Sequence, residues 1–172
     1  MKFQFSIMPS EQDVKVTGRL ALFDIRNSDL VYLSVLTSDG YWELVGGGVE
    51  GDESQIEAAI RECWEEARVV PEQVYSGSGI SYGYHRANQN KPRKTLILPA
   101  RFDSTKEREL SHEHEDEHLG SYEKTLSLLK YQDQIKGFEA IHLRIVDIVK
   151  QTRQPNYRQN PTLNRPYMPH SA

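Results

Sequence analysis

Glu62, Glu65 and Glu66 fall together in a stretch whose apolar residues recur with helical spacing. Ser54 followed three residues later by Glu57 forms a capping box, which sets a helix N-terminus there. Ile56, Ala59, Ile60, Cys63 and Ala67 then define the buried stripe of that helix. At about 100° per residue, the three carboxylates share an arc of roughly 100°. That arc borders the apolar stripe instead of opposing it, so the carboxylates sit at the margin of a cleft. Each charge raises the pKa of its neighbours. A hard divalent cation relieves that repulsion, and all-oxygen ligation suits Mg²⁺ or Mn²⁺. Upstream, Gly46-Gly47-Gly48 lets the backbone approach a ligand, offering carbonyls to a metal or amides to phosphate. A glycine segment followed by clustered carboxylates suits metal-assisted chemistry on a polyphosphate. The plainer alternative is a solvated Glu-rich face on which Arg61 and Glu65 form an ordinary i, i+4 pair. Cys63 reads as a small core residue.

Other elements must position this helix. Leu20 to Phe23 and Leu30 to Leu36 are short β-leaning runs separated by a polar turn, Asp24 to Asp29. Ser38-Asp39-Gly40 is a second turn, and Tyr41 to Val45 leads into the glycines. Ile80 to Tyr84 alternates with period two, and Thr95 to Leu98 reads as a more buried strand. Ile135, Phe138, Ile141, His142, Ile145 and Val149 repeat at three and four residues, which predicts a helix over Gln132 to Lys150. Mixed strands and helices point to a sheet covered by helices, an α/β architecture. Trp42 is a candidate for the cleft lining, whereas Trp64 faces away from the carboxylate arc.

The chain has 172 residues, which favours one domain. Residues 1–150 are expected to form it. Residues 151–172 hold four of the eight prolines and no acidic residue. That tail cannot bury enough apolar surface to offset its ordering entropy and is expected to be disordered. Lys plus Arg number 21 against 25 Asp plus Glu, a net charge of −4, which argues against a dedicated nucleic-acid-binding protein. No apolar run approaches the roughly 18 residues that span a bilayer. A single cysteine excludes an internal disulfide and disfavours a Cys-based zinc site, so a reduced cytoplasmic location is expected.

From Gly47 the chain reads G-x5-E-x7-R-E-C-W-E-E-x-R-V, which resembles the box of the Nudix hydrolases, with Glu53, Arg61, Glu62, Glu65 and Glu66 at the expected places. Arg68 stands where that family usually has glycine, and Val45 where a proline often precedes the glycines. The resemblance implies a Nudix-type α/β/α sandwich with a mixed β-sheet, and hydrolysis of a nucleoside diphosphate linked to another group. It implies Gly47, Glu62, Glu65 and Glu66 as metal ligands and Glu53 with Arg61 as an orienting pair. Glu65 also counts among the catalytic residues.

A looser resemblance to the diadenosine tetraphosphate hydrolases rests on Asn90 to Thr95 and on Glu109 to His114. It implies Lys91, Arg93 and Lys94 as polyphosphate contacts and Tyr82 or Tyr84 as a base platform. Glu113 would complete the metal site or act as base. The chain departs from that subgroup at Glu115 to Leu119, where a Tyr and a Trp are usual, and the run His112 to His118 reads as a solvated loop instead of a zinc site. The expected activity is divalent-metal-dependent phosphoanhydride hydrolysis of dinucleoside polyphosphates or related nucleotides. The alternatives are removal of a 5′ pyrophosphate or cap from RNA, and a non-catalytic nucleotide-sensing domain.

Overall fold

The computed structural model describes residues 14–85 and 91–153. Residues 1–13, 86–90, which include Asn90, and 154–172, most of the tail, lie outside the described residues. Strand β1 (Lys15–Arg26) sends Leu20 and Leu22 to one face and Ala21 and Phe23 to the other, and all four are buried. A strand apolar on both faces needs a covering layer on each.

Around β1 the sheet is mixed. One edge of β1 pairs antiparallel with β4 (Gly46–Gly48) and then with β2 (Asp29–Thr37). Its other edge pairs in parallel with β7 (Arg93–Arg101). β2 carries β3 (Trp42–Glu43) and β8 (His114–Gly120), while β7 carries β5 (Gln73–Val74) and β6 (Ile80–Tyr84). Helix α1 (Gln55–Ala67) packs Ala59, Cys63 and Ala67 over Leu20, Leu22 and Leu98. Helix α3 (Gln132–Thr152) packs Phe138, Ile141 and Ile145 over Ala21, Phe23 and Ile97 on the opposite face, next to α2 (Tyr122–Leu128). The result is the expected α/β/α sandwich.

Local readings needed correction at four places. Pairing of β1 with β2 continues to Arg26↔Asp29, so the turn shrinks to Asn27 and Ser28, both at positive φ (50° and 76°). Asp24 stays within the strand because its buried carboxylate accepts from the Ser104 amide (3.1 Å) and hydroxyl (2.6 Å). The acidic run is a strand from His114 onward, because its backbone completes β2. Glu117 on that strand is clamped by Arg108, with the closest contact at 2.7 Å. Helix α1 seats closer than its stripe implied, burying Ala58 fully and leaving Ile56 and Ile60 partly covered. Finally, α3 runs two residues past position 150.

Two features hold α1 in place. At its start, a Cβ on Gly18 would lie 1.8 Å from the Gln55 carbonyl oxygen, so only glycine allows the helix to rest on β1. The capping box is formed as expected: Ser54 Oγ accepts from the Glu57 amide at 3.2 Å, and Glu57 returns the bond to the Ser54 amide at 2.7 Å. At its end, Arg68 adopts the left-handed conformation (φ 52°, ψ 30°) and donates its amide to the Trp64 carbonyl at 3.0 Å. Arg68 thus ends the helix in the left-handed conformation that glycine adopts most readily. The Arg68 guanidinium lies 5.2 Å from the Trp64 ring centroid, which offsets part of the strain.

Gly18→Ala is expected to destabilise the fold by about 3 kcal/mol, because the clash is with backbone. Denaturant unfolding that gave native stability for this variant would contradict the close seating. Arg68→Gly is expected to raise the thermal midpoint by about 1–3 °C through relief of the left-handed strain. A lowered midpoint would show that the Trp64 contact outweighs that strain.

Candidate active site and metal centre

Helix α1 and strand β4 bring three carboxylates and a glycine backbone together. Glu66 is buried, and its Oε2 accepts the Gly46 amide at 2.9 Å. Burial pushes the Glu66 carboxyl up to about 8, against the pull of the Gly46 amide and Arg19. Glu62, half-buried, is also pushed up by burial, with the charges of Glu65 and Glu50 adding to it and Arg61 opposing. A Cβ on Gly47 would lie 2.2 Å from Glu62 Oε1, so the carboxylate rests directly on the backbone there. Glu65 is on the solvent side, 53% exposed.

Arg61 ties these parts together. It makes a two-pronged pair with Glu53 (2.7 and 3.1 Å), reaches Glu65 at 2.7 Å and Glu62 at 3.1 Å, and donates to the Gly48 carbonyl at 3.0 Å. The pairing with Arg61 holds Glu53 below the usual carboxylate range. Surface ion pairs contribute little singly, but this network crosses from strand to helix and fixes both.

Beneath the carboxylates lies a second layer that sequence patterns did not single out. Arg19 is largely covered, pairs with Glu43 at 2.8 Å and donates to the Leu44 carbonyl. Burial works against its charge, yet Glu43 and Glu66 outweigh that effect and keep the guanidinium ionised. His114 Nε2 is 3.6 Å from Glu66 Oε1, and one ligand atom each from Glu43, Glu66 and His114 fall within 4.8 Å of one another. Burial holds the His114 imidazole below its ordinary pKa. The available signals were a charged residue inside each of two apolar runs: Arg19 before Leu20, and Glu43 between Trp42 and Leu44.

The carboxylates open onto a cavity of about 260 Å³ that is also lined by Tyr82, Tyr84, Arg93, Gln134, Lys15 and Glu113. An adjoining acidic groove adds Glu50, Glu65, Glu109 and His112 to Glu62, Glu66 and Glu113. Glu113 therefore lines the same cavity and groove as Glu62 and Glu66. Tyr82 and Tyr84 share a face of β6, their rings stacked at 5.8 Å and 30°. Of the three basic residues, only Arg93 reaches the cavity. Lys94, next along β7, lines a shallow groove at the β6 edge together with Arg93, and Lys91 precedes the strand, exposed. Neighbours on a strand point to opposite faces, so of the two only Arg93 also lines the cavity. Lys15 does face both compartments and was missed, because a lysine at a strand start gives no distinguishing pattern.

The remaining candidates sit elsewhere. Trp42 lies edge-on to His118, with centroids 6.1 Å apart. Trp64 lines a separate apolar groove of about 620 Å³ with Ile60, Val69 and Val70. His142 is a core residue, its Nδ1 2.7 Å from Tyr32 Oη and its ring stacked on Tyr122. Cys63 is fully buried and burial pushes its thiol up, which leaves it inert.

The donor set fits a hard divalent cation. Carboxylate oxygens of Glu62 and Glu66 face the glycine backbone, and both carboxyls are pushed up by burial where a nearby cation would draw them down. The acidic cluster can bind such a metal. No helix among the described residues is long and apolar enough to cross a membrane.

Residues 21–145 match the family model of the NUDIX domain. Among solved structures, the fold is similar to the C. elegans Ap4A hydrolase in a binary complex. The two are 20% identical with a TM-score of 0.70, over 78% of this chain and 99% of that one. The NUDIX domain of Shewanella oneidensis NrtR complexed with ADP ribose is 19% identical, with a TM-score of 0.64, over 83% and 94% of the two chains. The E. coli dihydroneopterin triphosphate pyrophosphohydrolase is 15% identical, with a TM-score of 0.56, over 73% and 94%. At these identities the structural likeness is one of fold, whereas the family match spans the glycine strand, the carboxylate helix and most of the sheet. The chain belongs to the Nudix family, the pyrophosphohydrolases of nucleoside diphosphate derivatives.

Proposed function

We propose that the chain is a Mg²⁺-dependent hydrolase of dinucleoside polyphosphates, cleaving a phosphoanhydride bond in the cavity between α1 and β6. The observation that carries this reading is the composition of that one cavity. Its lining combines the Glu62 and Glu66 carboxylates, set against glycine backbone, with a stacked tyrosine pair and cationic side chains. An anionic chain flanked by aromatic bases matches that combination.

In this reading Glu62, Glu66 and the Gly47 carbonyl hold the cation, with Glu65 completing the set. Bound there, the cation supplies positive charge to phosphate oxygens and acidifies water. Arg61 and Glu53 keep the glycine strand in register with the helix. Arg93 and Lys15 neutralise the remaining phosphate charge, and Lys91 and Lys94 meet only a chain long enough to leave the cavity. Tyr82 and Tyr84 supply a base platform. Glu113, exposed at the cavity mouth, takes the proton from the attacking water. Phosphoanhydride hydrolysis asks mainly for positioning and charge stabilisation, which these groups provide. Residues 1–150 form the catalytic unit in this reading, located in the cytoplasm, and residues 151–172 are an appendage.

The test is product analysis with Mg²⁺ on diadenosine tetraphosphate, nucleoside triphosphates, ADP-ribose and a 5′-triphosphate RNA. Fast asymmetric cleavage of the dinucleotide to ATP and AMP is expected. Preference for the RNA, lost in high salt or on truncation after Arg153, would replace this reading with an RNA 5′ pyrophosphohydrolase. Binding without turnover of any of the four would favour a sensor. Glu65→Gln is expected to lower turnover by about 100-fold or more with native stability, since an exposed ion pair contributes on the order of 0.5 kcal/mol. Retained turnover would remove Glu65 from the mechanism.

A further inference from the structure

Among the polar side chains of the cavity that the mechanism does not use, one stands out. Gln134, in the first turn of α3, lines the wall it shares with Tyr82 and Tyr84. Its Oε1 is sealed from solvent and has no hydrogen-bond partner among the described residues. A buried carbonyl oxygen without a donor is unfavourable, and such an orphan on a side chain that lines a ligand cavity calls for explanation. The amide's two ends exchange by a half-turn of its terminal bond, so either the acceptor or the donor can face the cavity.

The packing around it is specific. One turn further on, Gly137 leaves room for the Tyr82 ring, since a Cβ there would lie 2.9 Å from Tyr82 Cε1. Residues three apart share a helix face, so Gln134 stands next to the point where the tyrosine pair meets α3. The carboxamide therefore borders an aromatic platform in the same cavity as the carboxylates.

We infer that Gln134 is a specificity-determining residue that reads the edge of a purine held against Tyr82 and Tyr84. The inference rests on the nucleotide reading above. A carboxamide offers one acceptor beside one donor, which matches a base edge carrying an amino group next to a ring nitrogen, as adenine does. The aromatic pair favours the larger purine ring through stacking area. Sites built to hydrogen-bond a ligand group reject analogues lacking it more strongly than apolar pockets do.

Titration calorimetry on the full chain tests this without requiring turnover, using AMP and purine riboside 5′-monophosphate, which differs only by loss of the amino group. The native protein is expected to bind AMP about tenfold more tightly. In Gln134→Leu the difference is expected to shrink below about twofold, because the group that reads the amine is gone. Gln134→Ala serves the same comparison if the leucine variant fails to fold. An undiminished ratio in the folded variant overturns the assignment. So does a native protein that binds both ligands equally, or neither. Failure of the dinucleotide to be cleaved is read separately, so loss of the proposed reaction and loss of base reading are distinguishable.

Discussion

Crowding of like charge is the constraint around which the rest of this molecule is arranged. Glu53, Glu62, Glu65 and Glu66 converge on one helix and its lead-in, and Glu43 lies just beneath. Such a cluster folds only if cations are placed with it. Arg61 meets the outer carboxylates, and the largely covered Arg19 meets the inner ones. The offset is incomplete at Glu62 and Glu66, where burial still pushes the carboxyls up. Beside the glycine backbone negative charge is thus left uncompensated, and a metal there would complete the balance.

The sheet exists, from this viewpoint, to hold that imbalance still. Arg19 is rigid because β1 is the central strand, paired along both edges and covered on both faces. Glu66 is rigid because α1 rests on Gly18 and ends in a left-handed stop at Arg68. The tyrosine wall is rigid because β6 pairs with β7 and Tyr82 packs into the gap left by Gly137. Each support is a close backbone approach, and each acts on a different wall of one cavity.

Local periodicity made much of this legible. The capping box, the period-two strand at Ile80 to Tyr84 and the last helix are signals carried within a few adjacent residues, and the structure has all three. The box residues were legible for the same reason, since their spacing is fixed by a single helix. What escaped was set by partners distant in sequence. The acidic run became a strand because β2 had an edge to fill. Asp24 entered a strand because Ser104, 80 residues away, supplies its hydrogen bonds. Arg19, Glu43 and Lys15 join the site only through the sheet register. Lys94 and Arg93 looked equivalent until the strand put them on opposite faces.

The parallel pairing of β1 with β7 also has a consequence for how the molecule is made. Lys15 is registered with Arg93 and Phe23 with Arg101, so the central strand acquires its second neighbour only after a long stretch of chain has emerged. Closing so large a loop is slow compared with forming hairpins or helices. Until it closes, β1 carries an open hydrogen-bonding edge flanked by buried-type residues on both faces, a surface prone to pairing with other chains. Assembly of the cavity therefore comes late in folding, and the nascent chain passes through its most aggregation-sensitive stage before the site exists.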